Sequence, residues 1–140
     1  MKHTWSSLIF VVIFSLAHPV LAVEVQIVVE GVDSDKGLVL VQLCRAEEFK
    51  KFVCAHQAKK PARKGEVEFS FPNVEEGQWA ATAFHDENSN YKLDTNFIGI
   101  PKEGTGFSRN AKGSYGPPKF EQAMENVSGK SHTLRFALVY

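Results

Sequence analysis

Apolar and polar side chains alternate with a period of two in several separate segments of the chain. In residues 23–30, valine and isoleucine alternate with glutamate and glutamine, interrupted only by Val28. The same period recurs in residues 66–71 and 133–140. A period of two places apolar side chains on one face of an extended chain, so these segments are predicted to be strands that line a core.

Two more strands are predicted from composition. Residues 38–43 are rich in leucine and valine, as expected for a strand buried on much of both faces. Residues 79–84 form another strand, which runs straight into a polar loop, while Pro72 and Asn73 are predicted to end the strand before it. Short strands with turn residues between them predict an all-β fold, namely an antiparallel β-sandwich.

Two short helices are predicted beside the strands. Phe49 and Phe52 lie three residues apart among charged residues in the segment 45–52, as in an amphipathic helix. The second is predicted at residues 119–124, inside a long segment rich in glycine and proline at residues 94–129. Because that segment also contains many apolar residues, it is interpreted as an ordered loop with a function.

The first residues predict export. Lys2 and His3 precede an apolar run at residues 8–17, and the small residue Ala22 ends the stretch, which is the pattern of a cleaved signal peptide at residues 1–22. A membrane anchor is the alternative, but the run is about half of the roughly 20 apolar residues that a spanning helix needs. Cleavage after Ala22 would release one β-sandwich domain, residues 23–140, into the periplasm or the medium without a membrane span.

The cysteines Cys44 and Cys54 are predicted to form a disulfide. Both lie in the part of the chain that would be exported, where oxidising conditions favour disulfides. A thiol metal pair or a redox site is the alternative, but the spacing is neither C-x-x-C nor part of a set of four ligands.

Charge argues against nucleic acid as a partner. The chain carries 16 Lys and Arg residues against 16 Asp and Glu residues, so no strong field attracts a polyanion. The densest basic stretch, residues 59–64, lacks interleaved aromatic residues that could stack on bases. It is interpreted as a solvated loop.

An acidic, asparagine-rich segment at residues 85–94 carries the main candidate site. Oxygen-bearing side chains occur at Asp86, Asn88, Asn90 and Asp94, and the backbone carbonyl of Lys92 falls between the last two. Calcium takes six to eight oxygen ligands, and this spacing follows positions one, three, five, seven and nine of a calcium-binding loop. Calcium is therefore the candidate cofactor.

The match to a helix-loop-helix calcium loop is partial. Tyr91 stands where such a loop turns at a glycine, and Phe97 stands where a bidentate glutamate belongs. Glu103 or Glu87 would have to supply the missing carboxylate. Two alternatives stay open: a turn whose Asp and Asn side chains bond their own backbone, and a different metal.

A non-catalytic binding or structural module is the favoured function. The alternative, a metal-assisted or serine-type hydrolase, would need His85, Asp86 and Ser108 within reach of one another. The segment around Ser108 lacks the second glycine of a nucleophile elbow, which argues against that enzyme. The candidate contacts to an unidentified protein or small-molecule ligand are His85, Tyr91, Phe107, Ser108, Arg109 and Tyr115.

The middle third of the chain also contains a set of short sequence motifs. They are Phe84-His85-Asp86-Glu87-Asn88, Asn90, Leu93-Asp94, Gly99-Ile100-Pro101, Glu103, Gly106-Phe107-Ser108, Asn110-Ala111, Gly116-Pro117-Pro118, Phe120 and Ala123. Together they resemble domain-of-unknown-function family 2141, a family of small exported bacterial proteins. The resemblance covers nearly all of the predicted exported part but depends on this middle third.

The resemblance implies a β-sandwich of transthyretin-like or immunoglobulin-like appearance in the periplasm or cell envelope, with no established activity. One departure concerns the acidic segment, where family members commonly have Asn-Gly and this chain has Asn90-Tyr91. The turn must therefore form without glycine, and a left-handed conformation at Tyr91 would cost energy.

Overall fold

Two β-sheets face each other across an apolar core in the computed structural model of the protein, which describes residues 21–140. In chain order the elements are β1 (Ala22–Val32), β2 (Leu38–Cys44), α1 (Ala46–Phe49), β3 (His56–Pro61), β4 (Gly65–Glu75), β5 (Gly77–Asp86), β6 (Thr105–Phe107), a 3-10 turn (Ser108–Asn110), α2 (Phe120–Ala123), β7 (Glu125–Val127) and β8 (Ser131–Ala137). The smaller sheet has the order β4-β1-β8, and the larger has the order β3-β2-β5-β6, with β7 also paired to β5. The predicted sandwich-like, mostly β fold is confirmed.

The period-two segments form the core as predicted. Val25, Ile27 and Val29 on β1 are completely buried and lie opposite Phe71, Phe69 and Val67 of β4, respectively. Strand β2 and strand β5 supply the apolar residues that face them from the other sheet.

The prediction that Pro72 and Asn73 end their strand was wrong, because β4 continues to Glu75. β4 lies at the edge of its sheet and pairs only with β1, where proline removes no ladder hydrogen bond on the open side. Asn73 has a φ of 59°, and the register between the two strands shifts beside it, between Val23 and Val25. A local irregularity therefore absorbs both residues without ending the strand.

One pairing differs from the predicted antiparallel arrangement. Strands β1 and β8 run parallel, with Ile27 opposite Leu134 and Val29 opposite Phe136. Parallel neighbours need a long crossover connection, and here the whole of the second sheet lies between the two strands in sequence. After β8 the chain passes to the other sheet, where Val139 and Thr105 exchange backbone hydrogen bonds of 2.8 and 2.9 Å.

Three strands were not predicted, and all of them lack an apolar repeat. β3 contains Lys59 and Lys60, so the interpretation of this basic stretch as a loop was wrong for these two residues, whereas Arg63 and Lys64 lie in the exposed connection to β4. It pairs only with β2 at the sheet edge, and lysine is common on edge strands because it discourages further pairing. Strands β6 and β7 have three residues each, too few to show a period.

A second apolar cluster covers the outer face of the larger sheet. Both predicted helices occur, in shorter form, and bring Phe49 and Phe120 together with ring centroids 5.8 Å apart. The predicted disulfide between Cys44 and Cys54 is present and packs in this cluster beside Ala80 of β5. Strand β5 is therefore covered on both faces.

The predicted signal peptide falls almost entirely on residues 1–20, which lie outside the described residues. Within residues 21–140, no helix is long and apolar enough to cross a membrane.

Removing the disulfide is expected to destabilise the fold. Cys44 and Cys54 are ten residues apart in sequence, and opening a loop of that size lowers the free energy of unfolding by about 3 kcal/mol in the chain-entropy model. For a domain of this size, the melting temperature of a Cys44→Ala, Cys54→Ala double variant should fall by roughly 10 °C. Reduction of the unsubstituted protein should give a similar loss, and an unchanged melting temperature in both measurements would contradict the expectation.

Candidate functional site

The end of β5 supplies two neighbouring polar residues, His85 and Asp86, to opposite sides of the larger sheet. Successive side chains of a strand point to opposite faces. Ala81 and Ala83 face the core, so His85 continues the inner face and Asp86 continues the outer one. Both side chains are completely buried. We call residues 86–94 the acidic loop.

Asp86 organises the acidic loop from within. Its two carboxylate oxygens accept hydrogen bonds from the backbone N–H groups of Asn90, at 3.1 Å, and Tyr91, at 2.8 Å. The side-chain oxygens of Asn88 and Asn90 accept further bonds from the backbone N–H groups of Asn90 and Lys92, at 3.1 and 2.9 Å. The side chains at positions one, three and five of the predicted calcium loop thus turn toward its backbone, while the Lys92 side chain is exposed.

Asp94 and Glu103 close the acidic loop. The side-chain amides of Asn88 and Asn90 donate to the Asp94 carboxylate at 2.6 Å and at 3.0 to 3.1 Å, respectively. Glu103 accepts backbone hydrogen bonds from Glu87, at 3.2 Å, and from Asp94, at 3.0 Å. Of the two glutamates that could replace the missing one at position twelve, Glu103 therefore holds both ends of the acidic loop.

Within residues 21–140, Asp86, Asp94 and Glu103 have no cationic partner. Asp86 is completely buried, Glu103 is 6% exposed and Asp94 is half-buried. None of these three residues belongs to a salt bridge in residues 21–140. Backbone N–H groups compensate part of the desolvation of a buried carboxylate, but buried charges in proteins are usually paired or bound to metal.

The acidic loop turns without glycine. Ser89 and Tyr91 have φ values of 57° and 61°, which lie in the left-handed region. The strain expected at Tyr91 from its sequence position is therefore present. Two interactions offset part of that strain. The backbone N–H of Tyr91 donates a hydrogen bond to Asp86, and the Lys59 ammonium lies 4.3 Å from the centre of the Tyr91 ring.

His85 belongs to a separate polar cluster on the inner side of the sheet. Its Nε2 lies 2.7 Å from the carbonyl oxygen of Lys36, and its Nδ1 lies 2.8 Å from the Tyr140 hydroxyl and 3.4 Å from an Asp33 carboxylate oxygen. A carbonyl only accepts, so the hydrogen-bond network assigns the ring hydrogen to Nε2 and makes Nδ1 the acceptor of the Tyr140 O–H. The Tyr140 oxygen in turn accepts the backbone N–H of Asp33 at 3.1 Å. Desolvation of its hydroxyl raises the pKa of Tyr140 to about 12, although the residue as a whole is 52% exposed.

Ser108 does not meet His85. Its completely buried hydroxyl donates to the carbonyl oxygen of Ala123 at 2.6 Å and accepts the N–H of Ala81 at 2.8 Å. Ala81 precedes His85 by four residues on β5, a separation of about 13 Å along a strand. The nucleophile and base required by the alternative hydrolase are therefore not assembled, and Ser108 instead joins β5 to the end of α2.

The predicted ligand contacts divide into buried and exposed residues. His85 and Ser108 are completely buried, so their place as surface contacts is not supported. Phe107 is half-buried, with its ring centroid 6.1 Å from that of Phe49. Exposed side chains remain at Tyr91, Arg109 and Tyr115.

Residues 97–100 form an exposed apolar tip after the acidic loop. They lie in the segment that was interpreted as a functional loop, but none of them was named as a ligand contact. Phe97 is 99% exposed, and Ile98 and Ile100 are also exposed. The Asn96 side chain fixes this turn by accepting the backbone N–H groups of Ile98 and Ile100 at 3.0 and 2.9 Å. The signal in the sequence was an apolar triplet between Asn96 and Pro101 without strand or helix periodicity.

The profile of a bacterial protein family matches residues 27–135, and the family is described as "Uncharacterized protein conserved in bacteria (DUF2141)". The match extends from β1 to β8 and includes the acidic loop, the His85 cluster except Tyr140, and the disulfide. Searches of curated proteins and of solved structures found no match.

Substitutions at Tyr91 test the strain in the acidic loop. Glycine is normally less stable than alanine in an ordered segment, but at a φ of 61° the order should reverse because only glycine adopts that conformation without strain. Both substitutions remove the aromatic ring that contacts Lys59, so the difference in stability between the two variants reports only the backbone conformation at position 91. The Tyr91→Gly variant should be more stable than Tyr91→Ala by about 1 kcal/mol in denaturant unfolding. Equal stabilities would show that the loop does not hold this conformation.

The pKa of Tyr140 has a measurable consequence. A pKa raised to about 12 in the folded protein means that the phenol contributes stability below its unfolded pKa of about 10, and that this contribution is lost as the pH rises through 12. Ultraviolet titration in a chelating buffer should show a tyrosinate step near pH 12 that Tyr140→Phe removes. A spectrum in which this substitution removes a step near pH 10 would contradict the burial of the hydroxyl.

Proposed function

This chain belongs to the DUF2141 family of bacterial proteins, and we propose that it is an exported, non-catalytic module of the cell envelope that binds calcium through the acidic loop. The observation that carries the proposal is that Asp86, Asp94 and Glu103 all accept hydrogen bonds from the acidic loop, while none of them forms a salt bridge in the described residues. A hard divalent cation is the partner that neutralises such a group of carboxylates.

The proposed ligands are oxygen atoms of the acidic loop and of Glu103. They are the side chains of Asp86, Asn88, Asn90, Asp94 and Glu103, with the backbone carbonyl of Lys92. The amide groups of Asn88 and Asn90 donate to Asp94. Rotation of each amide would offer its oxygen to an ion in place of its nitrogen, at the cost of the backbone hydrogen bond that this oxygen accepts. Such a set of oxygen donors suits calcium and disfavours zinc or copper.

Export is the second part of the proposal. The Cys44–Cys54 disulfide is of the kind that persists in oxidising compartments, which agrees with the signal peptide predicted at residues 1–22. We assign the protein to the periplasm or the medium. Calcium sites of extracellular modules have dissociation constants of about 0.1 to 1 mM, which defines the affinity expected here.

Calcium would order the surface that the module presents. The backbone N–H of Lys102 bonds to the carbonyl oxygen of Asp94 at 2.8 Å, so the apolar tip starts and ends at residues adjoining the proposed ligands. An ion held by Asp94 and Glu103 would restrain both sides of this tip. Binding residues are often loops on a rigid scaffold, and we place the contact to an unidentified protein or small-molecule ligand here.

A turn satisfied by its own hydrogen bonds competes with the calcium proposal. In that case the bonds from Asn90 and Tyr91 to Asp86 are the complete function of the acidic residues, and the loop only locks the end of β5. The two proposals differ in whether calcium changes the stability of the folded protein, because a ligand that binds only the folded state must stabilise it.

Calorimetric titration of the chelator-treated protein with calcium is the direct test. With the affinity given above, about 10 mM calcium should add roughly 1.5 to 3 kcal/mol to the free energy of unfolding and raise the melting temperature by about 5 to 10 °C. The Asp94→Asn variant, which keeps the size and an oxygen acceptor but loses the charge, should bind at least tenfold more weakly.

The matched control for this titration is Glu87→Gln. Glu87 lies in the same acidic loop, but only its backbone N–H, and not its carboxylate, contacts Glu103. Its substitution should leave the calcium affinity unchanged. Absence of heat and of any rise in melting temperature at millimolar calcium would establish the self-satisfied turn, and equal losses in both variants would contradict the proposed ligand set.

A further inference from the structure

We propose that Asp33, His85 and Glu87 form a second metal site, separate from the acidic loop, which takes a first-row divalent transition metal such as Zn²⁺. One ligand atom from each of these side chains lies within 4.8 Å of the others. Asp33 follows β1, whereas His85 and Glu87 lie at the end of β5. The three residues therefore meet where the two sheets come together at one end of the sandwich.

The ring of His85 is oriented as in a metal-binding histidine. Its Nε2 donates to the carbonyl oxygen of Lys36 at 2.7 Å, which fixes the ring and leaves Nδ1 without a hydrogen, 3.4 Å from an Asp33 carboxylate oxygen. Histidine ligands of metals almost always donate their other ring N–H to a carbonyl or carboxylate in this manner. The complete burial of His85 keeps the ring in this orientation.

The site is open to solvent from the side of its carboxylates. The Asp33 side chain is 51% exposed and Glu87 is exposed, so an ion would approach the buried Nδ1 from the side of these two carboxylates. The Tyr140 hydroxyl bonds to Nδ1 at 2.8 Å in the metal-free protein, and metal binding would replace this one hydrogen bond. Apart from His85 itself, no cationic side chain pairs with Asp33 or Glu87 within residues 21–140.

The donor atoms select the metal. An imidazole nitrogen suits zinc, copper, iron and nickel, whereas calcium and magnesium prefer oxygen alone. One histidine and two carboxylates make three protein ligands, and this number leaves a fourth tetrahedral position to water. The two proposed sites therefore differ in chemistry as well as in place, although Asp86 and Glu87 are adjacent in sequence.

Zinc titration of the purified protein, with calcium present in excess, tests this second site. Calorimetry should show one saturable event, and Co²⁺ should give visible absorption bands that Zn²⁺ removes. Asp33→Asn and Glu87→Gln alter exposed side chains and should each weaken zinc binding at least tenfold without changing the fold. Nitrogen NMR of the imidazole rings should show zinc at Nδ1 of His85 while Nε2 keeps its hydrogen.

Three further variants make the test specific. Glu68→Gln removes an exposed carboxylate elsewhere, and His132→Asn removes the other histidine that pairs with a carboxylate, Glu125, at 3.1 Å. Both should leave zinc binding unchanged, as should Asp94→Asn, which separates this site from the proposed calcium site. Absence of saturable zinc binding, a loss caused by His132→Asn, or unchanged affinity in Asp33→Asn and Glu87→Gln would overturn the proposal.

Discussion

Strand β5 is buried on both faces, and the positions of both polar clusters depend on it. Its inner face packs into the main core through Trp79 and Ala81, and its outer face carries Ala80 under the two short helices. Neighbouring strands pair with it on both sides. Because the strand cannot rotate without disrupting two apolar clusters, His85 and Asp86 are held on opposite sides of the sheet at its end.

The burial of carboxylates at the end of β5 constrains the shape of the acidic loop. Asp86 and Glu103 each accept two backbone N–H groups, which lowers the free energy cost of removing a carboxylate from water. Hydrogen bonds of this kind also shape the acidic loop, because each one pulls a segment of backbone inward. The same inward arrangement serves a self-satisfied turn and a loop around an ion.

The sequence predicted those elements whose signal is local. Strands with alternating apolar residues, the disulfide between Cys44 and Cys54, and the spacing of oxygen donors in residues 86–94 were all readable without coordinates. Strand β3 was missed because an edge strand needs no apolar face, and β4 was predicted too short because Pro72 is harmless on an open edge. That Glu103, and not Glu87, accepts backbone hydrogen bonds from the acidic loop depended on the path of a loop that has no periodic pattern.

The amino-acid sequence alone determines the strands, the disulfide and a polar loop after β5. The alternation of apolar and polar residues and the spacing of oxygen-bearing side chains are signals that extend over only a few positions. Only the packing of the sheets brings Asp33, Lys36 and Tyr140 around His85. Each of them lies about 50 residues or more from His85 in the chain, and they meet where β1, β5 and the end of the chain converge. Packing also makes β1 and β8 parallel and separates Ser108 from His85. Contacts of this range depend on how whole strands align, which no short stretch of sequence encodes.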